Sequence, residues 1–183
     1  MNRIIRSVNV QKDLKNSLEL VDTVFAESEG EEKGKEVRSL VEEIRNKQYY
    51  LPELDLIMVN EENTIIGYAM FSRFHLGGKY ENQLLLLTPV AVKTELQRQH
   101  ISKELIAFGF EKAKEMGYKA VIVEGNPRNY NPRGFETSWN YGIIAGESVH
   151  LPSPECLMVK ELQGGALQDI KGTVDYSYYH FLT

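Results

Sequence analysis

A chain of 183 residues with 42% hydrophobic and 26% charged side chains has the length and mix to bury one sizeable core, which argues against general disorder. Its net charge of −5 speaks against nucleic acid as the main partner, with only a local basic cleft left open. One cysteine, Cys156, leaves no intrachain disulfide and no cysteine cluster for a metal, so the expected home is the reducing cytoplasm. No apolar run approaches a membrane span, the first residues lack the apolar core of a signal segment, and no repeat or low-complexity stretch is present.

In chain order, Arg3 to Val8 is a short β-prone start. Asn9 is placed to cap a first helix, whose Leu14, Leu18, Val21 and Phe25 fall on one stripe. Glu27 to Glu32 reads as an acidic loop around Gly30. A second helix carries Val37, Leu40, Val41 and Ile44 on one face, with its charges solvated around them. After Pro52, Asp55 to Asn60 and Thr64 to Phe74 form a hairpin about Glu61 to Asn63. A second turn, Phe74 to Lys79, leads into the next strand and makes three antiparallel strands.

That strand, Gln83 to Val92, is apolar along nearly its whole length, as a strand covered on both faces should be. Pro89 gives the ladder no N–H and predicts a bulge or a splayed strand end. A polar turn follows, and then a helix whose Ile101, Leu105, Phe108, Ala113 and Met116 keep helical spacing until Gly117 stops it. Lys119 to Glu124 is the next strand, and the crossover predicts that it lies parallel to the Gln83 strand. Pro127 and Pro132 allow at most a short helix in Gly125 to Phe135. Glu155 to Leu162 is a last strand, and residues 163–183, rich in glycine and tyrosine, read as a tail that wraps the surface.

A strand that feeds a helix through a polar turn aims the helix's unpaired N–H groups out of the sheet edge, a ready anion site. Here Thr88 to Val92 followed by Gln97 to Ser102 resembles the acetyl-CoA-binding motif of the GCN5-related N-acetyltransferase (GNAT) family. In that family the turn reads Gln/Arg-x-x-Gly-x-Gly/Ala, and its amides hold the pyrophosphate of coenzyme A. Gln97 takes the first place, whereas His100 and Ser102 stand where the glycines would be and bring side chains to a place where backbone should approach phosphate. The plain alternative is an ordinary strand–helix unit. The likeness continues beyond the turn. Gly125 to Tyr130 running into Gly134 and Phe135, and the Gly-Ala-Leu…Gly-x-Val-x-Tyr ending between Glu161 and Tyr176, are similar to the YhbS-like branch, which places a tyrosine four residues before a Gly-Phe pair.

The resemblance implies a single α/β domain: a mixed, twisted sheet with helices on both faces, splayed between the fourth and fifth strands. It implies a cytoplasmic N-acyltransferase that uses acetyl-CoA as co-substrate, needs no metal, acts on a small-molecule or peptide amine, and works as a monomer or homodimer. In its layout the backbone of Val90, Ala91 and Val92 meets the thioester and pantetheine. Gln97, Arg98, Gln99, His100, Ile101, Ser102 and Lys103 take the phosphates, and Asn126 joins the cofactor side. Tyr130 matches the family's acid; a phenol with a pKa near ~10 can protonate a leaving thiolate without ionising at rest. The base stays open among Glu29, Glu81, Glu124 and His75, a water relay, or an amine that arrives neutral. Cys156, in an apolar strand with no histidine nearby, reads as inert core. The acidic stretch Glu27 to Glu36 could border a cationic acceptor or be a solvated loop. The rival reading is a non-catalytic acyl-CoA-binding regulatory protein with a degenerate phosphate loop.

Overall fold

The computed structural model describes residues 2–178, so residues 179–183 of the expected tail lie outside the described residues. In chain order the elements are β1 (Ile4–Ser7), α1 (Gln11–Glu29), α2 (Glu31–Arg45), β2 (Asp55–Val59), β3 (Ile65–Leu76), β4 (Lys79–Val92), α3 (Ile101–Glu115), β5 (Ala120–Glu124) and α4 (Pro127–Tyr130), then β6 (Glu136–Thr137), β7 (Ile143–Ala145), β8 (Leu157–Glu161) and β9 (Gly172–Val174). Hydrogen-bonded neighbours in the main sheet run β1-β2-β3-β4-β5-β8-β6, and β7 pairs with β9 separately. The main sheet is mostly antiparallel, with β4 and β5 as its parallel pair. The chain divides into two compact units, one of residues 1–71 and 88–109, the other of residues 72–87 and 110–183.

In the first unit, β3 separates two helical layers. A Cβ on Gly67 would sit 2.6 Å from Ile101 and 2.9 Å from Leu105, so α3 lies directly on that face. Tyr68, the next residue along the strand, meets the other face, where Arg45 of α2 hydrogen-bonds Asp55 at 2.9 Å and reaches Ser17 of α1 at 2.8 Å. Tyr50 and Tyr68 donate to the same Asp55 carboxylate at 2.6 and 2.5 Å. Asp55 has no exposed surface, and four donors offset the cost of its desolvation. Breaking such a pair from one side costs about 3–5 kcal/mol.

Three local expectations change. Asn9 does not cap α1; Val10 holds that position, and the Asp13 carboxylate reaches back to the Asn9 N–H at 3.3 Å while gripping Arg6 at 2.5 Å. The acidic loop is also absent, because Gly30, at φ 103°, turns the chain alone and leaves Glu27 to Glu29 inside α1. Gly34 lets α2 close on α1: a Cβ there would stand 2.5 Å from the Asp22 carbonyl oxygen. On α3 the buried stripe is Ile101, Leu105, Ile106, Gly109 and Ala113, while Phe108 and Met116 are exposed. The Phe71 ring fills the space at Gly109, 2.1 Å from where a Cβ would be, so a glycine occupies the place the apolar spacing gave to a large side chain.

In the second unit, β4 opposes β5 at Leu84↔Ala120, Leu85↔Val121 and Leu86↔Ile122, and the pairing ends there. β5 continues to Glu124, its other edge paired with β8 as far as Glu124↔Leu157. Parallel neighbours with an early end to their ladder are what the crossover and Pro89 predict. β6, β7 and β9 are not foreseen in the sequence, being only two or three residues long. The described part of the tail carries β9 and buries Leu167, Ile170, Val174 and Tyr176.

Candidate active site

The polar turn belongs to the first unit. β4 ends on half-buried Val90, buried Ala91 and half-buried Val92, and the Lys93 N–H donates to the Ile66 carbonyl at 3.0 Å. A 3₁₀ turn at Thr94–Leu96 redirects the chain, with the Thr94 hydroxyl donating to the Glu27 carboxylate of α1. Arg98 and His100 then both adopt left-handed backbone, each at φ 63°. Two non-glycine residues at positive φ, separated by one residue, bend the backbone sharply just before α3. The His100 carbonyl accepts the Glu104 N–H at 2.9 Å, which places the N–H groups of Ile101, Ser102 and Lys103 in the first turn of α3, where the helix itself has no acceptor for them.

Thus His100 takes the backbone conformation that a glycine supplies most readily, and it keeps its side chain exposed. Arg98, Gln99 and Lys103 are exposed as well, Ser102 is half-buried, and the Ile101 side chain is core. The Gln97 amide donates to the Val92 carbonyl at 3.5 Å. Arg3, which the sequence did not mark, fixes the turn from β1: it donates to the Gln99 carbonyl at 3.0 Å and pairs with Glu104 at 3.1 Å. Only tertiary structure could reveal it, since 96 residues separate Arg3 from Gln99.

The second unit gathers Tyr130 and Asn126 at the C-terminal end of β5. Asn126 caps α4, its side-chain oxygen accepting the Arg128 N–H at 3.0 Å, and Pro127 takes the first helical position, where a missing N–H costs nothing. The Asn126 side-chain nitrogen takes no part in that cap. The turn residues of α4 set the Tyr130 ring against Gly125, where a Cβ would stand 2.5 Å from the ring, and edge-on to Phe135 at 5.7 Å. The Phe135 N–H closes back on the Tyr130 carbonyl at 3.3 Å, and Gly134, left-handed at φ 91°, makes that return possible. This accounts for the spacing of tyrosine and Gly-Phe. Burial pushes the Tyr130 phenol upward, with the Arg133 charge opposing it, so the hydroxyl is a proton donor at neutral pH.

Glu124, one of the four candidate bases, immediately precedes Gly125 and is exposed. Burial above all, then the Glu124 charge, raises the Tyr176 phenol. Glu81 precedes Leu84, which opposes the first residue of β5, so Glu81 stands at the far end of that strand from Tyr130. His75 is buried, its Nδ1 accepting the Gly78 N–H at 2.9 Å and its ring 4.3 Å from that of Tyr178. Glu29 is the exposed last residue of α1, in the first unit. Cys156 is half-buried, with Ser153 Oγ at 3.6 Å. Among the described residues, no helix is long and apolar enough to cross a membrane.

A family model described as the acetyltransferase (GNAT) family matches residues 19–135. The uncharacterized N-acetyltransferase YhbS of Escherichia coli (strain K12) is 30% identical over 129 residues, spanning 70% of this chain and 74% of that protein. The crystal structure of Escherichia coli YhbS in complex with CoA superposes with a TM-score of 0.84 at 24% identity, over 98% of this chain and 92% of that one. A GNAT acetyltransferase from Brucella melitensis, in complex with acetyl-CoA, gives a TM-score of 0.65 at 23% identity, over 74% of this chain and 83% of that one. With the family model spanning residues 19–135 and a relative 30% identical over 70% of the chain, the chain belongs to the acetyltransferase (GNAT) family.

Proposed function

We propose that this protein transfers an acetyl group from acetyl-CoA to the nitrogen of a small-molecule or peptide amine. The observation that carries the reading is the turn before α3. Its backbone keeps the left-handed conformation at His100 despite the side chain, the glycine-like geometry that a phosphate-binding turn needs. The amides of Gln97 to Lys103 would hold the pyrophosphate, with Arg98 and Lys103 adding charge, and the backbone of Val90 to Val92 would take the pantetheine and acyl carbonyl. Asn126 would add its side-chain nitrogen. Acetyl-CoA supplies an activated acyl carbonyl and a thiol leaving group. Tyr130, half-buried and with its phenol pushed upward by desolvation, would hold the proton that such a leaving group needs. A turn that retains glycine-like backbone supports a working phosphate loop over a degenerate one.

The test is calorimetry with acetyl-CoA, coenzyme A and ATP as the nucleotide control, followed by thiol release over a panel of small amines and peptides. Saturable binding of both coenzyme A forms, without equivalent binding of ATP, together with amine-dependent thiol release, is the expected result. Absence of binding at millimolar coenzyme A would end the reading. Binding without transfer to any amine would favour a non-catalytic acyl-CoA sensor.

A further inference from the structure

This inference rests on the acetyltransferase reading, in which the turn before α3 holds the coenzyme's phosphates. Arg98 and His100 both stand at φ 63°, a conformation that glycine adopts freely and that a side chain penalises. Two such residues, one position apart, persist only where neighbouring groups hold them.

Arg3 supplies that hold from outside the turn. Its Nη1 donates to the Gln99 carbonyl at 3.0 Å and its Nη2 to the Glu104 carboxylate at 3.1 Å. The Gln99 carbonyl and the His100 N–H belong to one planar trans peptide, so a fixed oxygen aims the N–H the opposite way. Rotation of that plane is what would carry His100 out of the left-handed region. On the other side of His100, its own carbonyl accepts the Glu104 N–H at 2.9 Å. One guanidinium therefore ties the peptide plane before His100 to the residue that anchors the plane after it.

The base of the Arg3 side chain is fixed as well. The Asn2 N–H donates to the Glu61 carboxylate at 3.0 Å, and Ile4 pairs with Val59 on β2. The Arg3 and Glu104 side chains are 22% and 44% exposed, so their ion pair adds little to stability through charge alone. A planar fork that grips two acceptors at once orients more than it stabilises.

We propose that Arg3 is a positioning residue for the coenzyme turn, holding His100 in the conformation that a glycine would take unaided. It acts on the binding of acetyl-CoA and not on the chemistry of transfer. The brace at residue 3 and the side chain at residue 100 then belong together, and a turn with glycine at that place needs the brace less.

A double-mutant cycle over residues 3 and 100 tests this. By calorimetry, Arg3→Gln should weaken coenzyme A by ~10-fold or more, the scale of losing a hydrogen bond from a charged donor. In the His100→Gly background the same change should cost less than ~3-fold, because glycine reaches the left-handed region without help. In turnover the loss should fall on KM for acetyl-CoA, with kcat at saturation retained. Asp13→Asn, which loosens β1 through its bonds to Arg6, should leave coenzyme A affinity unchanged. Equal losses in the two backgrounds, or no loss in either, would overturn the role of Arg3 and leave the acetyltransferase reading intact. The same cycle in urea reads the brace without coenzyme: Arg3→Gln should destabilise the protein with His100 more than the one with glycine. If the wild type binds no coenzyme A, the phosphate reading fails, and the urea cycle still decides whether Arg3 holds His100.

Discussion

His100 shows how one residue can depart from a family's pattern without losing its geometry. A left-handed, non-glycine residue costs on the order of 1–2 kcal/mol, and histidine pays part of that at φ 63° because its side chain is exposed and unhindered by core. Glycine would remove the strain but regain freedom in the unfolded chain, worth about 0.5–1 kcal/mol in the other direction. His100→Gly should therefore lose no stability in urea, gain at most ~1 kcal/mol, and bind coenzyme A equally or better. His100→Val, β-branched at the same φ, should lose at least ~1 kcal/mol and weaken binding. Equal behaviour of the two variants in urea and in calorimetry would show that the turn does not hold its shape. The sequence revealed that glycines were missing, but the backbone conformation that replaced them was not readable from residue types.

Among the elements, the strands and helices with strong periodicity were legible, and those set by single side chains were not. The run from Gln83 to Val92 and the crossover through α3 announced the parallel β4–β5 pair, because length and apolar content leave few other ways to bury them. The start of α1 was misread, since a good capping residue at Asn9 lost to a better-placed carboxylate. Asp13 accepts two hydrogen bonds from Arg6 and one from the Asn9 N–H. Chiefly through Arg6, these hold the Asp13 carboxyl below its usual value. A carboxyl depressed in the folded state stabilises above the unfolded value of ~3.9, and the contribution fades as pH falls through the folded value. Asp13→Asn should cost about 1–3 kcal/mol in urea at pH 7, and the gap to wild type should narrow only below about pH 4. A gap unchanged between pH 7 and pH 3 would mean that the pair contributes nothing through charge. On α3, apolar spacing suggested Phe108 as core, and Gly109 took the place because Phe71 already filled the space.

For the whole molecule, order along the chain carried more than any one motif. The Tyr130 to Gly134 spacing was visible in the sequence and has a structural cause in the return bond from Phe135 to Tyr130. The Arg3 brace was hidden, because it joins segments remote in sequence. We propose that this chain performs acetyl transfer with Tyr130 as the acid. Tyr130→Phe removes one hydroxyl and keeps the ring that packs on Gly125 and Phe135, so folding and coenzyme A affinity should hold. The measurement is thiol release from acetyl-CoA at saturating amine, wild type against Tyr130→Phe, with binding of coenzyme A followed in parallel. Unchanged binding and a ~10²–10⁴-fold fall in kcat are expected. A variant that binds coenzyme A and releases thiol at the wild-type rate would contradict it.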